Sequence, residues 1–333
     1  MRKCPIGCGC VCEKCYSPCW PKDWLQIDYP DARVISINYT SDPYLWRPIW
    51  IKESKRLRLH ERAEQMTSQL LDLGVGERPV IWVGHSKGGL FIKQIYAQAY
   101  EAHLRLTKSE ENKQTDIQME TQVTDAFTDI DKIKTDNDLQ EKIVQFVENF
   151  EIESKIEADN IEKSIEETNV LINNLHYILD NSEFKKVDEA VDVKLIDDDK
   201  RASLWYNSGG FMFYSVPHRG SSLADIVLAP LMMRSVELLE ISKDCSLVLE
   251  LQDRWLKATQ SSQPMVRSLV ETCRTLMAVL WLRIVSVESA DAGIGALCGV
   301  SVDHREICKP SSRSCLLYTE LLNLIHATLD KCR

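Results

Sequence analysis

The 333-residue sequence predicts an α/β protein, a mostly parallel sheet with helices on both faces. Three observations carry that expectation. Residues 80–93 read Val-Ile-Trp-Val-Gly-His-Ser-Lys-Gly-Gly-Leu-Phe-Ile-Lys: a buried-strand run, a glycine-flanked turn, then apolar residues at helical spacing. Downstream, short β-branched or aromatic runs alternate with helical stripes. Between Gly89 and Gly209 there is neither Gly nor Pro, so that charged, periodic tract reads as helix interrupting the pattern.

Taken in order, the chain begins with a cysteine-rich leader. Cys4, Cys8, Cys10, Cys12, Cys15 and Cys19 account for six of its 12 cysteines. Cys12 and Cys15 have zinc-like spacing, but no second pair follows and no His precedes His60, so neither a metal nor a disulfide framework is expected. Residues 1–18 are expected to be a disordered leader. Arg33–Tyr39 reads as a strand. Residues 53–73 show a helical stripe (Leu57, Ala63, Met66, Leu70) closed by Gly74 as a C-cap. Val80–Val83 reads as a strand, and Leu90, Ile92, Ile95 and Tyr96 mark the following helix. Within 104–200, 26 Asp/Glu stand against 12 Lys/Arg, with apolar residues three to four apart. Two long amphipathic helices, an acidic helical hairpin inserted at 104–204, are expected there. Strand and helix then resume: a strand at 210–216, helix over 224–258, a strand at 265–270 ending at Glu271, a strand at 283–287, and a closing helix at 316–329. The expected domain thus comprises 19–103 and 205–333.

The net charge of −10 argues against a general nucleic-acid binder, which needs a basic surface. No run of 18 apolar residues occurs; the longest candidate, Leu276–Val287, is broken by Arg283. No apolar signal region or other targeting segment is visible at the N-terminus.

Gly84-His85-Ser86-Lys87-Gly88 between strand and helix has the form of a nucleophile elbow, Gly-x-Ser-x-Gly. Glycines at 84 and 88 are expected where strand and helix come close. The helix N-terminus places backbone N–H groups, Lys87 first among them, toward a developing oxyanion. A serine hydroxyl needs an imidazole to take its proton and a carboxylate to orient that imidazole. In α/β-hydrolases these follow in the order Ser, acid, His. His304, after the last strand, is the expected base. His218 comes too early, and His326 is expected to pack on the last helix. Glu271 is the expected acid, with Glu288 and Asp291 as alternatives. No cofactor is expected. Lys87 and Arg219 are candidates for contacting an anionic head group.

These blocks, together with Cys19-Trp20-Pro21-Lys22-Asp23-Trp24-Leu25, Tyr214-Ser215-Val216-Pro217-His218-Arg219-Gly220-Ser221, Val287 to Gly295 and Asp303 to Pro310, resemble the serine active site-containing protein family. The resemblance implies a lipase-like α/β-hydrolase domain and supports Ser86 and His304, and then Glu271. It implies a lipid acyl-ester substrate, a role in phosphatidylglycerol remodelling and cholesterol handling, peripheral membrane association, and localisation at contacts between endoplasmic reticulum and mitochondria. Members of that family carry a strand and a His-Gly loop upstream of the Cys-Trp-Pro block, and that loop should provide a second oxyanion donor. This sequence shows no such loop, which suggests a truncated or mispredicted form. It keeps open a catalytically weak adaptor that binds a partner through the acidic helices.

Overall fold

The structure, a computed structural model, describes residues 19–39, 46–48, 50, 57–130, 197–226, 232–277 and 280–332. The chain divides into two compact units, 1–107 with 194–333, and 108–193. The first holds a four-stranded parallel sheet, as the α/β pattern predicts. Its strands are β2 (Val80–His85), β3 (Ser208–Tyr214), β5 (Met265–Glu271) and β8 (Ala296–Val300), side by side in that order. Two minor pairs are antiparallel: β1 (Trp46–Pro48) with β4 (Met232–Arg234), and β6 (Thr275–Met277) with β7 (Leu280–Leu282).

Alternation along β3 explains why both faces of the sheet are covered. Phe211 and Phe213 point to one side, where they meet Tyr96 and Trp255. Met212 and Tyr214 point to the other, against Leu317, Leu321 and Leu324. The first layer is made by α3 (Leu59–Asp72), α4 (Lys87–Ile130) and α7 (Ser246–Ser262), which bury Met66, Leu70, Ile95, Tyr96 and Trp255 in one cluster. The second is made by α8 (Leu316–Cys332) and the short helices α1 (Trp20–Asp23) and α2 (Leu25–Asp28). Trp20 and Trp24 set their edges on Tyr318, whose hydroxyl donates to Asp28 at 2.6 Å. Trp20 Nε1 donates to the Cys308 carbonyl, tying this segment to the loop that follows β8.

Helix α3 ends as its sequence demands. Gly74 takes a φ of 71°, the Val75 amide donates to Leu70 O and the Gly74 amide to Leu71 O, a Schellman closure. Between β2 and β3 lies α5 (Asp198–Tyr206), whose first turn is capped by the Asp197 carboxylate. The second unit is described over 108–130, where α4 continues; residues 131–196 of the expected helical hairpin, and the leader 1–18, lie outside the described residues.

Four expectations are corrected. Arg33–Tyr39 forms no strand; Val34 and Ile35 are exposed, and β2 is therefore the edge of the sheet among the described residues. Residues 283–287 form a loop, and the last strand is β8 instead. Residues 224–258 are not one helical stretch: a 3₁₀ turn (Ser222–Asp225), β4 and α6 (Val236–Glu240) precede α7. His326 is exposed, with Tyr29 against its ring, rather than packed into the apolar face of α8.

Candidate active site

All four main strands run parallel, so their carboxyl ends converge on one rim, where open α/β sheets place their sites. Ser86 follows β2 directly, Ser215 follows β3, Glu271 is the last residue of β5, and His304 lies four residues beyond β8. Ser86 and Ser215 both have positive φ, 52° and 45°. Non-glycine residues in that region are strained by about 1–3 kcal/mol each and persist where their surroundings hold them. The holding contacts are clear: the Ser86 amide donates to Tyr214 O at 3.0 Å, and the Ser215 amide to Leu269 O at 2.7 Å.

The structure brings Ser86, His304 and Glu271 into one hydrogen-bonded line. Ser86 Oγ lies 3.0 Å from His304 Nε2, and His304 Nδ1 lies 3.2 Å from Glu271 Oε1. An ionised carboxylate only accepts, so Nδ1 carries the proton and Nε2 is left to accept from the serine hydroxyl. Glu271 is fully buried. Burial by itself pushes its pKa up, but the hydrogen bonds from His304 and the Val285 amide outweigh that and hold it below the ordinary carboxylate value. The Val285 amide donates to Oε1 at 3.0 Å, and Oε2 has no partner among the described residues.

Glu288 and Asp291 are elsewhere. Glu288 is exposed and 3.9 Å from Arg219, while Asp291 accepts the Gly293 amide at 2.8 Å. His218 is fully buried at a distance from the serine line, 3.3 Å from Lys93 Nζ on α4. Lys93 also donates to Gln252 and sits 5.8 Å from the centre of the Trp255 ring. Lys87 begins α4, so its amide is a free first-turn donor beside Ser86. Its ammonium is paired with Glu240 at 2.7 Å, whose other oxygen accepts the first amide of α3.

Sequence reasoning missed three supporting groups. His85 Nε2 donates to the His304 carbonyl at 2.9 Å, Thr275 Oγ1 accepts the His304 amide at 2.9 Å, and Ser215 Oγ accepts the Glu271 amide at 3.1 Å. The base is thus held at its backbone on both sides. Burial, then the neighbouring His304, lower the His85 pKa to about 4, so this ring is neutral near pH 7. His85 was findable, since the residue before an elbow serine neighbours whatever reaches that serine. Thr275 and Ser215 carried no local signal.

The turn also refines the role assigned to its glycines. A Cβ on Gly84 would lie 2.7 Å from Gly89 Cα, and one on Gly89 would lie 2.2 Å from Val216. A Cβ on Gly88 meets only Tyr39 Oη at 4.0 Å. The close approach of strand and helix therefore runs through Gly84 and Gly89, not Gly88.

Among the described residues no cluster of His, Cys, Asp or Glu is arranged to hold a metal ion, and no helix is long and apolar enough to cross a membrane.

Fold and geometry together define a class: an α/β protein whose strand-to-helix serine is linked through an imidazole to a buried carboxylate. The chain is similar in sequence to Protein SERAC1 of Mus musculus, 29% identical over 96% of this chain and 35% of that protein. Protein SERAC1 of Homo sapiens is 28% identical over 96% of the chain, and that of Danio rerio 27% over 94%, each match covering 34% of the relative. The chain spans about a third of the length of these relatives. No family model and no solved structure matches it.

Proposed function

We propose that this chain is a serine esterase of the lipase type acting on acyl esters of phospholipids, with Ser86 as nucleophile, His304 as general base and then acid, and Glu271 as the orienting carboxylate. The observation that carries this reading is the continuous line Ser86 Oγ–His304 Nε2 and His304 Nδ1–Glu271 Oε1 at the carboxyl rim of the sheet. His304 takes the hydroxyl proton as Ser86 Oγ attacks the ester carbonyl. The Lys87 amide stabilises the oxyanion, and His304 then protonates the departing alcohol. A water activated by the same ring releases the acyl group. The phospholipid substrate, a role in phosphatidylglycerol remodelling and lipid trafficking, association with membrane surfaces, and placement at endoplasmic reticulum and mitochondria rest on the sequence blocks shared with the serine active site-containing family.

One observation supports a second reading, a weakly catalytic adaptor that docks a partner through the acidic segment 104–204. Lys87 supplies one oxyanion amide, and β2 has no strand on its outer side among the described residues. Losing one oxyanion donor typically costs about 10²–10³ in turnover. Hydrolysis of phosphatidylglycerol and of a short-chain ester by the full chain, beside Ser86→Ala, separates the two. Release of fatty acid that Ser86→Ala abolishes supports the esterase; equal, background release from both proteins sinks it.

A further inference from the structure

The longest apolar run in the sequence folds as a hairpin beside the candidate site. Strands β6 and β7 pair Thr275 with Leu282, Leu276 with Trp281, and Met277 with Leu280. Pleating divides these residues between two faces. Thr275, Met277 and Leu282 face inward: Thr275 is buried and binds the His304 amide, and Met277 and Leu282 pack on the main core. The outer face presents the cross-strand pair Leu276 and Trp281, 42% and 61% exposed; Leu280 lies on the other face, opposite Met277. Arg274 and Arg283, one residue outside the strands, continue the alternation onto that same outer face. Both are exposed, and neither forms an ion pair with a described residue.

An apolar cross-strand pair with a tryptophan, backed two residues away on each arm by an arginine, suits one kind of partner. A two-stranded hairpin exposing apolar side chains to water is marginal by itself, and such patches mark contact surfaces. Trp is favoured where apolar chains meet head groups, and arginines set just behind the apolar tip stand at phosphate level. The outer-face charges are both positive, complementing an anionic surface and discriminating against a zwitterionic one. We infer that the β6–β7 hairpin is the surface by which this protein docks on an anionic phospholipid bilayer, with Leu276 and Trp281 entering the interface and Arg274 and Arg283 pairing with lipid phosphates. This rests on the esterase reading for its purpose: because Thr275 holds the His304 backbone, docking there delivers lipid next to Ser86.

The test is flotation of the full chain with vesicles of phosphatidylglycerol and phosphatidylcholine, and with phosphatidylcholine alone. Wild type and Ser86→Ala float with the anionic vesicles and not with the neutral ones. Arg274→Gln with Arg283→Gln weakens binding roughly thirtyfold, at about 1 kcal/mol per arginine. Leu276→Ser with Trp281→Ser weakens it at least tenfold. Both double variants keep wild-type circular dichroism and hydrolysis of a soluble butyrate ester. Wild type that stays off anionic vesicles overturns the inference, as do double variants that bind like wild type. A self-association lost in Leu276→Ser/Trp281→Ser without vesicle binding also overturns it, in favour of a second copy. Hairpin-dependent binding in a chain that hydrolyses no ester sinks the esterase and leaves the docking surface standing; hydrolysis without binding does the reverse.

Discussion

A serine hydroxyl gains nothing from a nearby imidazole that is free to turn away, and in this site the imidazole is fixed from three directions. Glu271 fixes the ring, while His85 and Thr275 fix the backbone that carries it. Two predictions separate these roles. Glu271→Gln keeps the shape but offers an amide to Nδ1, so kcat falls by about 10⁴-fold, as expected when the wrong tautomer is selected. His85→Ala removes one neutral hydrogen bond, worth about 1 kcal/mol, so kcat falls roughly fivefold with KM unchanged. His85→Gln, which retains a donor, recovers most of that loss; steady-state kinetics on a soluble ester check all three. Ser86, Glu271 and His304 could be read from the sequence because the elbow has a local pattern and the chain order of acid and base is constrained. Ser215 and Thr275 could not, because their hydrogen bonds arise only when strands distant in sequence come together.

Helix α4 packs over the sheet through Gly84 and Gly89, where an added Cβ on the first would lie 2.7 Å from the Cα of the second. Gly89→Ala would drive a methyl into Val216 and Gly84→Ala would drive one into Gly89, so each is expected to destabilise the fold by about 1–3 kcal/mol and to abolish turnover. Gly88→Ala, with open space around it in the first turn of α4, should fold with the stability of wild type. Urea titration of the three variants decides this, and Gly88→Ala as damaging as Gly89→Ala would contradict it. The same packing logic explains which strands were misread. Residues 283–287 have strand composition, but Ile284 and Val285 are buried consecutively rather than alternately. Their backbone is spent elsewhere: Ser221 Oγ binds the Ile284 carbonyl and Glu271 takes the Val285 amide. Arg33–Tyr39 has the right alternation, but a strand exists only with a partner, and composition does not provide one. β3 and β5 were readable because their apolar runs are buried between covering helices, and β2 because its apolar run leads straight into the glycine-flanked serine turn.

Across the whole fold, two buried bases and one half-buried histidine make stability depend on pH. His85 has its pKa lowered to about 4, and burial pushes His218 and Lys93 well below their ordinary values. Each binds its proton less readily in the folded chain than in the unfolded one, so the unfolded chain binds more protons and stability rises with pH. For His85 the contribution is complete above its unfolded value of 6.5 and is lost as pH falls toward 4, about 3 kcal/mol in all. Glu271, depressed below 4.5, adds a loss in the same direction at still lower pH. For Lys93 the rise runs up to its ordinary value of 10.5. Lys93→Met should therefore flatten the stability profile as pH rises toward 10.5, measured by denaturant midpoints. An unchanged slope would mean that the buried amine is charged.

The measurement to make is labelling of the purified full chain by a fluorophosphonate, beside Ser86→Ala and His304→Ala, with circular dichroism to show that each is folded. The hydrogen-bonded line from Ser86 through His304 to Glu271 predicts one covalent phosphonyl adduct at Ser86, absent from Ser86→Ala and slowed at least a thousandfold in His304→Ala. A folded wild-type chain that takes up no label, or one labelled equally in Ser86→Ala, would contradict the assignment of Ser86 as the nucleophile.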